Sequence, residues 1–187
     1  MSEIVKVPVL PVWQPWAWYL VHGYEHPGGK RVESRSRPLP KTLAGRWCLI
    51  HATVSPGLLL SGQMSRPLAV EFLDAWDLAT ASGAVRAGLD EWNKMLDSLQ
   101  FGGLVGAVRW MGCYEPATPS YRGEGHGPHD MPDGWQKWGD LTSPFWWLTA
   151  DARPLPFVPW RGQQGVFYVP RAGLPAEYRE LFEEADR

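Results

Sequence analysis

The chain has 187 residues, 44% hydrophobic and 20% charged, ordinary globular usage that excludes a disordered polypeptide and leaves room for one domain, 1–187, with a real core. A formal net charge of -2 and a pI of about 6.2 exclude a protein that coats nucleic acid through bulk positive charge. Cys48 and Cys113, with no CxxC spacing, exclude a disulfide framework and a zinc knuckle and read as buried thiols; with no signal peptide and no run near the roughly 18 apolar residues of a membrane span, a soluble cytoplasmic protein is expected.

In chain order, residues 4–11 are extended and punctuated by proline. Gln14-Pro15 opens a short helix, with Gly23 as its stop and Trp16, Tyr19 and Leu20 on the face to be buried. Residues 25–29 form a His-Pro-Gly-Gly loop, and 31–35 alternate as a strand that puts Arg31, Glu33 and Arg35 on one face and Val32 on the other. Residues 46–52 (RWCLIHA) are a more deeply buried strand. Helical periodicity marks 66–80 and 89–99, and 104–113 is a buried strand after the reset at Gly102-Gly103. The Gly-, Pro- and His-rich stretch 114–142 reads as an ordered flap held by Trp135 and Trp138. Strands follow at 145–149 and 164–169. Between them 153–160 is a proline-rich edge, and 175–185 is an amphipathic helix docked through Tyr178 and Leu181. The sum is an α+β chain of five to six short strands with flanking helices, able to close into a small barrel.

Charge is unevenly spread. Residues 30–46 carry six cations against Glu33 alone, a formal +5, whereas 174–187 carry five acids against two cations, a formal -3. A basic patch on a mildly acidic body suits selective contact with a few phosphates or one anionic ligand. Twelve Trp residues are the compositional outlier, and rings that large are expected to line a groove as well as the core. Four of them fall in 13–52 beside the basic run, the combination that stacks on bases and holds phosphates.

The blocks QPWAW (14–18), GKRVESR (29–35), GRWCLIHA (45–52), GGLVGAVRWMGC (102–113) and ARPLPFVPWRGQQGVF (152–167) together resemble the ASCH domain family, related to the PUA domains, in the same order over about residues 10–170. The resemblance implies a PUA-like β-barrel that binds RNA or DNA in a cleft lined by a G-x-K-x-x-E-x-R motif, which Gly28, Lys30, Glu33 and Arg35 fit. Some relatives deacylate N4-acetylcytidine and others are ribonucleases. The deacylase pattern has Thr where this chain has Glu33, the loop 25–29 is inserted before the motif, and Arg37-Pro38 stands where the family commonly has Trp-Pro.

The candidate ligand-binding set is Gln14, Trp16, Lys30, Glu33, Arg35, Ser36, Arg37, Arg46 and His51. Arg35 can pair with a phosphate or with Glu33, and Lys30 supplies a point charge; in a dry cleft Lys30 with Glu33 would be the catalytic pair of a hydrolase, whereas the bland reading is a solvated strand face. Gln14 and Trp16 can read and stack a base, or Trp16 is core; His51 can serve a phosphate, or is a satisfied core histidine. The HGPHD run with His126, His129 and Asp130 lacks zinc spacing and reads as a polar flap; Walker, GxSxG and HExxH patterns are absent, and no metal or cofactor is expected. The expected partner is nucleic acid, RNA ahead of DNA, or a nucleoside, with no membrane. A hydrolase on the same cleft and a Trp-rich protein-interaction module are the alternatives.

Overall fold

The computed structural model describes residues 4–22, 30–53, 99–116, 120–123, 131, 135–139 and 142–185. Outside these lie the stop at Gly23, the motif glycine Gly28, the HGPHD run, the helix expected at 66–80 and all but Leu99 of the one at 89–99.

The described residues form a seven-stranded mixed sheet. Its strands are β1 (Lys6–Val12), β2 (Val32–Arg35), β3 (Trp47–Ala52), β4 (Gly103–Glu115), β5 (Ser120–Gly123), β6 (Phe145–Pro159) and β7 (Phe167–Pro170). The order is β2-β6-β4-β3-β1-β7, with β5 also on β4. β1 and β3 run parallel; every other pairing is antiparallel. Pro8 and Pro11 sit within β1 because each has a ladder partner on one side, Pro8 on β7 and Pro11 on β3, so no second bond is lost.

Helix α1 (Trp16–His22) and helix α2 (Ala176–Ala185) cover opposite faces of this sheet. Side chains alternate along β1 and β3: Leu10, Val12, Cys48 and Ile50 pack with Ala17, Leu20 and Val21 of α1. Val7, Val9, Trp47 and Leu49 pack with Tyr178, Leu181 and Phe182 of α2. Both strands are thus apolar on both sides, the pattern of a strand covered on each face. A third cluster joins Trp18 and Tyr19 of α1 to Val32, Trp138, Trp146 and Leu148. Wedged between two clusters, α1 is buried from Ala17 through Val21 instead of on one stripe, and Trp16 is left half-buried.

Three sequence-based expectations change. The strands expected at 145–149 and 153–160 are one fifteen-residue strand, β6. Its first half pairs β2 and β4, while from Arg153 to Pro159 its described ladder is to β4 alone, so the proline-rich half is an edge as expected. Register shifts along β4 between Leu104 and Gly112 bend the β4–β6 pair, as bulges do, and carry it from one half of the sheet to the other. The stretch 114–142, expected as irregular, contains β5 and a 3-10 turn at Gln136–Trp138 among its described residues, and Trp138 is buried against Tyr19. Finally, the ladders run as an open path with β2 and β7 at its ends; the described hydrogen bonds give an α+β sheet and do not close a barrel.

No helix among the described residues is long and apolar enough to cross a membrane.

Candidate functional site

β2 ends at Arg35 opposite Phe145, the first residue of β6, and its alternation sets the site. Glu33, opposite Trp147 on β6, is 8% exposed and lies between two cations. Lys30 Nζ is 2.9 Å from Glu33 Oε2 and Arg35 Nη2 is 2.9 Å from Glu33 Oε1. Burial alone would raise the Glu33 carboxyl, but the Lys30 ammonium and the Arg35 guanidinium overcome it and hold it below the ordinary carboxylate range. Glu33 is therefore held as a carboxylate between two basic side chains.

The cations are further held. The Lys30 ammonium also donates to the Val32 carbonyl, and it sits over the Trp16 ring, 5.6 Å from the centroid. Its three protons thus face a carboxylate, a carbonyl and a π surface, and it is 4% exposed. Arg35 Nη2 donates to the Pro11 carbonyl at 3.0 Å, and its guanidinium lies 5.9 Å from the centroid of Trp147. Arg35 keeps 24% of its side chain exposed, and its buried Nε has no partner among the described residues. Trp147 Nε1 donates to the Arg37 carbonyl at 2.9 Å, which pins the backbone just beyond the strand while the Ser36 and Arg37 side chains stand exposed.

The remaining candidates divide. Trp16 joins the triad through Lys30 and meets Trp138 edge-on at 6.3 Å. Gln14 is 1% exposed; its Oε1 accepts from Trp18 N at 3.0 Å and its Nε2 donates to the Gln100 carbonyl at 2.9 Å. The Gln14 amide thus caps the first turn of α1 and ties it to the chain before β4, and the neighbouring helix N–H groups of Ala17 and Tyr19 are taken by Trp13 and Pro15 carbonyls. Arg46 is exposed at the start of β3. His51 sits elsewhere: it is 3% exposed, its Nε2 donates to the Trp160 carbonyl at 2.9 Å, and its ring meets Phe167 edge-on at 6.1 Å, on the α2 face.

Trp147 is the site residue that sequence reading missed, and its signal was present: FWWLT alternates, so one of two adjacent indoles had to face β2's polar side. Among the described Trp residues, six are buried, Trp16, Trp135 and Trp160 are half-buried, and Trp13 is exposed. The described indoles therefore serve mainly the core.

No family model matches the chain and no curated protein matches it. Among solved structures, a mutant of the ZmASCH protein from Zymomonas mobilis aligns over 95% of this chain and 94% of its own at 14% identity, with a TM-score of 0.40. At that identity and TM-score the likeness carries no argument about this chain's fold, residues or chemistry.

Proposed function

We propose that the protein binds single-stranded nucleic acid, RNA ahead of DNA, on the surface around Trp16, Arg35, Ser36 and Arg37. The observation that carries this reading is the buried carboxylate of Glu33 locked between Lys30 and Arg35. Such a knot costs desolvation and is a poor source of stability, but it fixes a guanidinium in one orientation with part of its surface left to solvent. Arg35 then offers an oriented planar donor to a phosphate, the exposed Arg37 adds a second cation, and the open part of Trp16 offers a ring on which an unstacked base can lie. Lys30 and Glu33 are positioning residues in this account. Lys30 has its protons engaged and Glu33 is held ionised with a low proton affinity, so neither is set up as a neutral nucleophile or as a base tuned near neutral pH.

The test is titration of labelled single- and double-stranded RNA and DNA oligonucleotides across roughly 50 to 200 mM salt. Salt-dependent binding to single strands is expected. Arg35→Lys, which keeps the charge and loses the planar fork, should weaken it about tenfold with unchanged circular dichroism. Absence of salt-dependent binding, or an Arg35→Lys protein that binds as well as the parent, overturns the reading. Turnover of N4-acetylcytidine or RNA that vanishes in Lys30→Arg would instead establish the hydrolase.

A further inference from the structure

A cavity of about 730 Å³ opens where the parallel strands β1 and β3 end, between Pro11, His51 and Thr53 on one side and the segment 160–164 on the other. None of Lys30, Glu33 and Arg35 lines it, and its Pro11 is the residue whose carbonyl accepts from Arg35. Its volume falls within the roughly 300–1,000 Å³ of small-molecule sites.

We infer that this cavity is a second binding site, for a nucleoside monophosphate. The described residues around it include Arg161 and no carboxylate, so the field they set up favours an anion. Trp160 and the prolines Pro11 and Pro159 give apolar walls, one of them an indole, suited to a flat ring. Gln163 and Gln164 bring amides that both donate and accept, the chemistry that reads the edge of a base. His51 Nε2 donates to the Trp160 carbonyl, which fixes Trp160 against the end of β3, while its buried Nδ1 has no partner among the described residues. Gly162 makes the closure possible: a Cβ there would come 2.6 Å from His51 Cε1, so only glycine lets the segment lie on the imidazole and hold Arg161 and both glutamines at the mouth.

The experiment follows the ¹⁵N-labelled full chain by NMR during titration with each of the four ribonucleoside 5′-monophosphates, with the bare nucleosides and inorganic phosphate as separate arms. The Trp160 indole signal, identified with Trp160→Phe, and the Gly162 and Gln164 amides are expected to move with at least one monophosphate, at least about tenfold tighter than with its nucleoside or with phosphate. Arg161→Ala, an exposed position, is expected to weaken that binding about tenfold, and Gly162→Ala to weaken it by displacing the segment. Silence at these three signals at millimolar ligand, an equal response to phosphate alone, or undiminished affinity in Arg161→Ala overturns the inference. Movement confined to Trp16 and the residues after Arg35 would overturn it as well while supporting the oligonucleotide site, so the two ideas can fail separately.

Discussion

At Glu33 a carboxylate that burial would push toward neutrality is kept charged by Lys30 and Arg35. Its folded pKa lies below its ordinary 4.5, so the stabilisation it brings is present above about pH 4.5 and lost as pH falls through the folded value. Glu33→Gln leaves two cations facing each other with no anion; urea unfolding at neutral pH should show a loss of about 3 kcal/mol, and the acid-side decline below about pH 4.5 should flatten. His22 acts in a different window. Stacked on Trp18 at 4.6 Å, it is lowered by burial from 6.5 to about 4. Between those values the unfolded chain binds a proton that the folded chain refuses, so stability falls as pH drops from about 6.5 to 4. His22→Phe keeps the stacked ring and should remove about 2 kcal/mol of that loss, read from unfolding free energies at the two pH values. The pairing of Glu33 with Arg35 was legible from alternation alone. That Lys30 would fold back onto Glu33, and that the Gln14 amide would be used up inside the protein, depended on neighbours the local sequence does not name.

At the scale of elements, the sheet depends on close approach. At Gly106 a Cβ would meet the Arg153 carbonyl at 2.5 Å and Val21 Cγ1 at 3.0 Å, so β4, β6 and α1 meet there with no space for a side chain. Gly106→Ala is expected to cost about 2 kcal/mol in chemical denaturation, since backbone on one side cannot yield. The C-terminal helix is a second case. Leu181 is 3% exposed in the cluster with Val7, Val9 and Leu49, and Leu181→Ala should cost about 3 kcal/mol. The exposed Arg153–Glu184 pair, 3.3 Å apart, holds the same helix to β6 and should contribute little. The α2 periodicity foretold which residues dock because the helix has one apolar stripe; α1 did not follow its stripe because two clusters enclose it.

Across the whole molecule, the core closes around both thiols. Cys48 and Cys113 are buried, and burial pushes the Cys48 thiol up to about 12. A thiol reagent such as Ellman's should find neither cysteine in the native protein and both after unfolding; reaction at native pH would mean the β3–β4 core opens readily. The charge asymmetry is also a property of the whole: six cations in 30–46 stand against an acidic C-terminal segment, and of the six Lys30 and Arg35 are partly neutralised by Glu33. Arg37→Ala should therefore lower the salt slope of oligonucleotide binding by about one ion, while leaving the fold intact.

Alternation and helical period by themselves determined the strands near 31–35 and 46–52, both ends of β6, the C-terminal helix with its docking residues, and the face shared by Glu33 and Arg35, because these follow from spacing within a few residues. The tertiary structure alone decided that β6 is continuous through its prolines, that most of the described indoles are core, and that His51 faces Trp160 across 109 positions of chain. Those outcomes rest on which surfaces are brought together, and no local spacing encodes a partner that distant.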